Sequence, residues 1–295
     1  MRDRFRSGYV ALTGRPNAGK STLLNAVLGY KVAIATPRRQ TTRNRIAGIK
    51  TTEHAQIVLV DTPGFHPAQH RLGEHLLKTA KDTLREADLV AFVVAAGSDP
   101  AEDRDALSAL KTSGKPAILV VNKTDTVSDR VTDDTVAAYS AVFPFRSVCR
   151  ISALCGSGIS EFLDEAGRSL PEGPKLYPDD QETDQTERSI AAEMIREKVI
   201  ANTSEEVPHA AAVEVTGWSE KKPGIVSISA TIYVERDGQK GIIIGNKGAR
   251  LKKIGSEARR EIEALLQTKV FLELWVKVSR DWRNDRRMLR EMGYH

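Results

Sequence analysis

The sequence has few of the residues that build disulfide-stabilised, zinc-binding or membrane-spanning proteins. Only Cys149 and Cys155 are cysteines among 295 residues, which excludes a disulfide framework and a cysteine-rich zinc site and suits a reducing cytoplasm. The six histidines include no H-E-x-x-H pair. The longest unbroken apolar run, residues 89–96, is too short to span a bilayer. The charged N-terminal residues are followed by no apolar stretch, so we expect no secretory signal.

The overall amino-acid composition is typical of a globular protein. The chain is 40% apolar and 28% charged, and its length allows two domains with sizeable cores. The net charge of +5 weakly favours an anionic partner such as nucleic acid or a lipid surface. A basic enzyme without such a partner fits that number equally well.

The strongest pattern in the chain is G-x-x-x-x-G-K-S, from Gly14 to Ser21. An apolar run, 9–12, precedes it and a helix-like stretch, 21–28, follows it, so the loop should join a strand to a helix N-terminus. There the free backbone N–H groups and the helix dipole favour a bound phosphate. Lys20 is expected to reach the β- and γ-phosphates, and the Ser21 hydroxyl to bind Mg²⁺.

Two further stretches have the residues of a nucleotide switch. The polar loop around Thr41 and Thr42 offers a hydroxyl that could bind Mg²⁺. On this stretch alone, the simpler interpretation is that both threonines open the next strand, 45–50. The second stretch is D-T-P-G, where Asp61 ends an apolar strand and can hold a metal-bound water, while the Gly64 N–H can meet a γ-phosphate.

The motif N-K-T-D predicts recognition of guanine. It follows a buried strand, 117–121, and its Asp125 carboxylate can accept both the N1–H and the N2–H₂ of guanine, whereas adenine has neither donor there. The Asn122 amide either binds guanine O6 and N7 or ties loops together, and the Lys123 stem can cover the ring. A small turn at Ser152-Ala153-Leu154, after the next strand, can bring a backbone N–H near O6.

The order of elements predicts an α/β fold with a doubly wound, mostly parallel sheet in the first half of the chain. Strands and helices alternate, and every motif lies at the carboxyl end of a predicted strand, where such sheets bind ligands. Helices are expected over 70–87, 101–111, 132–142 and 158–170.

The second half predicts a smaller α+β domain after a polar stretch. A helix over 189–200, strands over 209–218 and 225–235 around a turn at 221–224, a helix to about 266 and a strand over 270–278 are expected. Between them lies I-G-N-K-G, a G-x-x-G loop of the kind that clamps a nucleic-acid backbone in KH domains. Taken alone, that loop is better explained as an ordinary helix–helix turn; the flanking helices, the basic charge and the strand order favour the KH interpretation.

Charge separates the two parts of this second half. Residues 236–295 hold 15 Lys and Arg against 8 Asp and Glu, whereas residues 175–235 hold 6 against 12. The basic charge thus lies where RNA would bind. The candidate RNA contacts are Gly245, Asn246, Lys247, Gly248, Arg250, Lys252 and Lys253.

Together these motifs resemble the Era family of GTPases, which are translation-factor-related small GTPases with a C-terminal KH domain. The resemblance covers essentially the whole chain through G-R-P-N-A-G-K-S, Q-T-T-R, D-T-P-G, N-K-T-D, S-A-L, I-G-N-K-G and L-E-L-W-V-K-V. It implies a P-loop GTPase domain over 1–174, a linker over 175–187 and a type II KH domain over 188–295. It also implies binding near the 3′ end of 16S rRNA, a role in 30S subunit maturation, and a cytoplasmic monomer with peripheral association with the cell membrane.

The resemblance also assigns roles to residues. Thr42 would be the switch threonine, with Thr41 as the alternative, so that Ser21, Thr42 and Asp61 bind Mg²⁺. The catalytic group would comprise Asn17, Lys20, Thr42, Asp61 and Gly64. The GTP or GDP contacts would be Gly14, Asn17, Ala18, Gly19, Lys20, Ser21, Thr22, Asp61, Gly64, Asn122, Lys123, Asp125, Ser152, Ala153 and Leu154.

Hydrolysis is expected to be slow, because Phe65 stands where many regulatory GTPases carry a water-orienting glutamine. In similar GTPases an asparagine at the position of Asn17 helps to hold K⁺, which acts in place of an arginine finger; an asparagine that only braces the loop is the alternative. Phe65 also favours a second hypothesis, an RNA-binding assembly scaffold in which GTP is a structural ligand.

Overall fold

The computed structural model describes residues 5–36, 38, 41–65, 68, 70–222 and 224–294, and for residues 221 and 222 it describes the backbone only. Gln40 of the Q-T-T-R motif and Pro223 of the predicted turn lie outside these residues. The described chain divides into two compact units, one of residues 5–65 and 76–184 and one of residues 68, 70–75 and 185–294. In the part of the chain that is described, no helix is both long and apolar enough to cross a bilayer.

The first unit is built on a six-stranded sheet with the strand order β2-β3-β1-β4-β5-β6. Only the pair β2 and β3 is antiparallel among these neighbours, which confirms the predicted doubly wound α/β fold. The strands are β1 (Arg6–Thr13), β2 (Ile46–Thr51), β3 (Ala55–Asp61), β4 (Leu89–Ala95), β5 (Ala117–Asn122) and β6 (Ser147–Arg150). The helices are α1 (Lys20–Leu28), α3 (Arg104–Ser113), α4 (Asp129–Val142), α5 (Ile159–Ser169) and α2 (Arg71–Glu86), of which residues 71–75 belong to the second unit.

The core of this unit lies on both faces of the central strands. Residues 89–94 of β4 and 118–121 of β5 are fully buried, as the continuous apolar runs in the sequence require. Because parallel neighbours run in one direction, β1, β3, β4 and β5 present their carboxyl ends at one edge of the sheet. The motifs of the sequence analysis follow those ends.

The segment after α5 pairs with the edge strand β2. The backbone N–H of Ile49 donates to the Glu182 carbonyl at 2.8 Å, and the Thr183 hydroxyl donates to the Ala47 carbonyl at 2.7 Å. The Gln56 side chain also accepts hydrogen bonds from the backbone N–H groups of residues 176 and 177. These contacts cover an otherwise open sheet edge with chain from the first unit itself.

The second unit contains a three-stranded sheet in the order β7-β8-β9, with β7 and β8 antiparallel and β8 and β9 parallel. Helices pack against the sheet, and the element order α-β-β-α-α-β is the predicted one. Its elements are α6 (Glu187–Ala201), α7 (Val207–Ala210), β7 (Ala212–Lys222), β8 (Ile225–Val234), α8 (Asp237–Ile244), α9 (Ala249–Leu266), β9 (Lys269–Val278) and α10 (Arg286–Glu291).

Two local predictions were wrong. Residues 207–210, predicted in part as the start of a strand, form the short helix α7, because Pro208 occupies a first-turn helical position where its missing N–H costs nothing. Strand β2 begins at Ile46, so Thr41 and Thr42 do not open it. The Thr41 hydroxyl instead hydrogen-bonds within its own loop, and the Thr42 hydroxyl hydrogen-bonds to Asp61.

Candidate nucleotide site and nucleic-acid interface

The phosphate loop of the first unit depends on two glycines. Gly14 has φ 144° and Gly19 has φ 99°, a region that side chains rarely tolerate. A Cβ on Gly14 would collide with the Val93 carbonyl oxygen, and one on Gly19 would collide with the Asn122 amide nitrogen. The loop therefore packs directly on β4 and on the N-K-T-D loop, and α1 starts immediately after it at Lys20.

Lys20 is buried beneath this loop. Its Nζ donates to the carbonyl oxygens of Gly14 and Arg15, each at 3.1 Å. Burial lowers the pKa of its ammonium group, and the charges of Asp61 and Asp103 offset part of that effect. A phosphate bound in the loop would supply this buried cation with a full counter-charge, which two carbonyl dipoles do not.

The structure brings Ser21, Thr42 and Asp61 together. The Ser21 hydroxyl donates to Asp61 Oδ2 at 2.6 Å and lies 3.0 Å from Thr42 Oγ1, which in turn donates to Asp61 Oδ2 at 3.2 Å. Burial raises the pKa of Asp61, although Lys20 and these hydroxyls counteract it. Among the described residues, Asp61 Oδ1 is a buried oxygen with no hydrogen-bond partner.

This oxygen cluster fits a hard divalent cation. Mg²⁺ prefers one or two carboxylates together with hydroxyl, phosphate and water oxygens, and the unpartnered Asp61 Oδ1 can accept a metal-bound water. By contrast, Thr41 Oγ1 lies 2.6 Å from Thr36 Oγ1 and donates to the Arg38 carbonyl. Thr42 therefore stands in the cluster and Thr41 does not, in line with the preference for Thr42.

Gly64 and Phe65 have different surroundings although they are neighbours in the chain. A Cβ on Gly64 would lie 2.8 Å from Pro16 Cγ, so its backbone is in close contact with the phosphate loop. The Phe65 side chain is 8% exposed and belongs to the apolar core with Leu84 and Val94. A buried phenyl ring has no group that can orient a water molecule.

Asn122 ties three loops together. Its amide nitrogen donates to the Ala18 carbonyl at 2.9 Å, and its Oδ1 accepts the backbone N–H groups of Lys123 at 2.8 Å and Ala153 at 3.0 Å. Of the two roles that the sequence allows, the structure thus shows the bracing one. Both ends of the amide are in use, so the phosphate loop and the S-A-L turn are held at fixed places beside each other.

Asp125 is oriented by the S-A-L turn. The Ser152 hydroxyl donates to Asp125 Oδ1 at 2.6 Å and accepts the Cys155 backbone N–H at 3.2 Å. Asp125 remains exposed, as does Leu154, which is 81% exposed. The carboxylate is thereby directed by one hydrogen bond and keeps acceptor capacity for two donors of a base.

A cavity of about 440 Å³ connects the phosphate loop with the polar residues at its rim. Its volume suits a small molecule. The residues that line it are Pro16, Asn17, Gly19, Lys20, Ser21, Thr22, Ile34, Ala35, Thr36, Arg38, Thr41, Thr42, Gly64 and Lys123.

The sequence reasoning missed Asp103. This buried carboxylate accepts the Arg15 backbone N–H at 3.3 Å and the Tyr139 hydroxyl, and burial raises its pKa. It braces the phosphate loop and adds to the field at Lys20. No motif marks it, since it stands in the polar run A-E-D-R-D, which is typical of an exposed helix start.

The G-x-x-G loop of the second unit has a constrained backbone. Gly245 has φ 70°, Lys247 has φ 48° and Gly248 has φ 79°. A Cβ on Gly245 would lie 2.8 Å from Arg250 Cβ, and the Arg250 guanidinium donates to the Ile242 carbonyl. Arg250, predicted to contact RNA, therefore also closes the loop on the end of α8.

A groove of about 450 Å³ runs from this loop between α9 and β9. Of the predicted RNA contacts, Gly248 and Lys252 line it, while Lys253 lies 3.8 Å from Glu257 on the exposed side of the helix. The residues that line the groove are Gly248, Leu251, Lys252, Gly255, Ser256, Arg259, Val270, Phe271, Leu272 and Leu274. Helical spacing from Lys252 points to Arg259, which the sequence reasoning left out.

Comparison with known proteins matches both units. The model of a family described as 50S ribosome-binding GTPase matches residues 9–123, and the KH domain model matches residues 206–283. The chain is 52% identical to the GTPase Era of Geobacter metallireducens over 292 residues, which is 98% of each protein. It is 48% identical to the GTPase Era of Ruminiclostridium cellulolyticum over 291 residues, again 98% of each.

The chain belongs to the GTPase Era family. It is a GTPase with a P-loop domain followed by a C-terminal KH domain. Solved Era structures match it over nearly its whole length. A point variant of Aquifex aeolicus Era bound to GDP·AlF4⁻ has a TM-score of 0.93 at 40% identity, covering 98% of this chain and 99% of that one.

A second Era structure contains both kinds of ligand that the two units suggest. It is a complex with MgGDPNP and nucleotides 1506–1542 of 16S ribosomal RNA, with a TM-score of 0.92 at 40% identity and coverage of 98% and 99%.

Proposed function

We propose that this chain is a GTP-dependent RNA-binding protein that acts in assembly of the 30S subunit by binding 16S rRNA near its 3′ end. The observation that carries the switch is the contact of Thr42 with Ser21 and Asp61, because it ties a loop of the first unit to the metal position. The RNA assignment is supported by the G-x-x-G groove and by the 16S rRNA complex of the Era relative.

Each residue of the nucleotide site has one task in this proposal. The loop amides and the Lys20 ammonium hold the β- and γ-phosphates, and Ser21, Thr42 and Asp61 hold the magnesium ion. Gly64 offers its N–H to the γ-phosphate and releases it when that phosphate leaves. Bound Mg²⁺ neutralises charge on the phosphate oxygens. The Asp125 carboxylate reads guanine while Asn122 keeps the base site beside the phosphates.

The domain and location assignments extend the same proposal. The GTPase domain comprises residues 1–174, the linker 175–187 and the KH domain 188–295. We assign the protein to the cytoplasm as a monomer, with peripheral association with the inner face of the membrane. The support for the membrane contact is the family resemblance together with the basic net charge.

Slow hydrolysis that depends on K⁺ is expected. Phe65 lies in the core and cannot orient water, so hydrolysis should depend on backbone groups, a cation or the bound partner. Asn17 stands at the phosphate loop with φ 65° and lines the nucleotide cavity, where its side-chain oxygen can hold such an ion. Single-turnover hydrolysis should fall at least about tenfold when Na⁺ replaces K⁺, and Asn17→Ala should abolish the difference. Equal rates in the two salts would refute the K⁺ role and leave Asn17 as a brace.

The function is tested by RNA affinity in two nucleotide states. With a synthetic RNA of nucleotides 1506–1542 at fixed salt, a switch predicts binding about 5- to 150-fold tighter with a non-hydrolysable GTP analogue than with GDP. Lys247→Ala should weaken both affinities without altering their ratio, because it acts on the RNA alone. No binding in either state would contradict the RNA assignment.

The scaffold in which GTP is a structural ligand is the second candidate. The burial of Phe65 favours it, since nothing at that position promotes turnover. It predicts equally tight RNA binding with GDP and with the analogue, so the same titration separates the two functions.

A further inference from the structure

Strand β9 presents two chemically different faces. Val270, Leu272 and Leu274 point to the helices, as shown by Gly255 of α9, whose Cβ would lie 3.3 Å from Leu274 Cδ1. Side chains alternate along a strand, so the intervening residues stand on the opposite side of the sheet. We call this side of β9 the outer face; its residues are Lys269, Phe271, Glu273, Trp275 and Lys277.

The outer face exposes two aromatic rings. Trp275 is 66% exposed and Phe271 is 51% exposed, and β9 is an edge strand of its sheet. Large aromatic side chains usually bury their area, so two exposed rings on one strand face indicate a ligand. Thr231 pairs with Trp275 on the neighbouring strand β8, so no bulky side chain covers the indole ring from there.

Charge and spacing point to single-stranded nucleic acid. The rings stand four residues apart, about 13 Å along the strand, and exposed lysines flank them at both ends. Basic residues interleaved with aromatic platforms are how proteins hold single strands without reading their sequence. Glu273, which lies between the rings, accepts a hydrogen bond from the Ser229 hydroxyl at 3.4 Å and so leans onto the sheet.

The groove and the outer face share one residue, Phe271. Phe271 lines the groove between α9 and β9 and also belongs to the outer face. We propose that RNA leaving the G-x-x-G groove passes Phe271 over the edge of the sheet and stacks a further base on Trp275. This inference rests on the proposed function, because it requires that the second unit binds RNA.

A protein partner is less well matched. The polar neighbours Glu273 and Thr231 separate the rings and interrupt any continuous apolar patch. Stacking needs only a ring and a nearby positive charge, and both are present. The subsite therefore adds affinity rather than sequence selectivity, and it acts only on RNA long enough to reach it.

The test uses the full-length protein with a GTP analogue and nested synthetic RNAs cut from nucleotides 1506–1542, from the full segment down to about four nucleotides. Trp275→Ala should weaken binding of the long RNAs by about tenfold and leave the shortest binding RNA unchanged. Trp275→Phe should restore most of the affinity, since it keeps a stacking ring. Val142→Ala, a truncation of a partly exposed side chain in the first unit, should change neither affinity.

A spectroscopic readout separates stacking from structural damage. Long RNA should quench tryptophan emission more in the wild-type protein than in Trp275→Phe. Trp282 is fully buried and the half-buried Trp218 is present in both proteins, so the difference in quenching reports the ring at position 275. Equal losses for short and long RNAs, or unchanged affinity throughout, would overturn the subsite while the groove assignment stands. Unchanged RNA affinity with weaker binding to 30S subunits would assign the outer face to a protein partner. Failure of the wild-type protein to bind any RNA would instead overturn the proposed function.

Discussion

Replacing Asp125 by asparagine is expected to lower the affinity for GTP by about 10²- to 10⁴-fold. The carboxylate is positioned to accept two guanine N–H groups, and each hydrogen bond to a charged group contributes about 1.5–3 kcal/mol. Asparagine offers one acceptor and one donor, so its NH₂ group would face the guanine N2–H₂ group with no acceptor between them. Ser152 can still donate to the amide oxygen, so the loop itself should keep its conformation.

The same substitution should raise the affinity for xanthosine triphosphate. Xanthine keeps the N1–H but carries a carbonyl where guanine has its amino group. An asparagine at 125 can accept from the N1–H and donate to that carbonyl, whereas the native carboxylate is repelled by it. The expected outcome is therefore an exchange of base preference rather than a general loss of binding.

Calorimetric titration of both nucleotides against Asp125→Asn and the native protein measures this exchange. Asp129→Asn is the matched control, because it removes the same charge four residues further along, at the exposed start of α4. It should leave both affinities within about twofold, as expected for an exposed charge away from the site. If Asp125→Asn loses both nucleotides equally, the carboxylate supports the loop and does not read the base.

The architecture and the position of the nucleotide site follow from local patterns. The buried strands β4 and β5 are continuous apolar runs, and each motif comes at the end of such a run, so parallel packing must place the motifs at one sheet edge. Glycine positions in the phosphate loop are equally local, because the backbone conformation itself excludes a side chain.

Features that depend on distances between remote residues were not available to that reasoning. Thr41 and Thr42 are chemically identical neighbours, and only the approach of Asp61 from β3 separates them. Asn122 has two plausible roles until the Ala18 carbonyl is placed 2.9 Å from its amide. Asp103 lies in a polar run without a motif, and its burial arises from packing against the phosphate loop.

Replacing Asp61 by asparagine is expected to abolish Mg²⁺-dependent hydrolysis, with a loss of at least about 100-fold, and yet to stabilise the nucleotide-free protein. The carboxylate is the one anionic member of the cluster with Ser21 and Thr42, so a neutral amide removes the charge that holds the cation. Without metal or nucleotide, that buried charge is a cost, because burial is the largest influence on the pKa of Asp61 and raises it.

The sign of the pH dependence follows from that raised pKa. The folded protein holds the Asp61 proton more tightly than the unfolded chain, so stability falls as pH rises from the ordinary carboxyl value, about 4, to the raised folded value. Asparagine does not titrate. Relative to Asp61→Asn, the unfolding free energy of the native protein should therefore fall by up to about 1.4 kcal/mol per pH unit in that window. At pH values above the window, the difference between the two proteins should stay constant. The charge of Lys20 lowers the folded pKa of Asp61 and so narrows this pH window. It does not reverse the sign of the pH dependence, because burial has the larger effect on that pKa.

Denaturant unfolding of both proteins across pH, with and without Mg²⁺ and GDP, checks this account. Magnesium and nucleotide together should stabilise the native protein increasingly as pH rises, since they bind the ionised carboxylate, and should stabilise Asp61→Asn much less. Asp103→Asn provides the contrast, because Asp103 is also buried with a raised pKa but lies outside the oxygen cluster. Relative to Asp103→Asn, the native protein should again lose stability as pH rises. Asp103→Asn should, however, still be stabilised by Mg²⁺ and GDP. A native protein that is more stable than Asp61→Asn at neutral pH without ligands would mean that Lys20 and the two hydroxyls outweigh burial, and that the site is arranged for a carboxylate even before the cation binds.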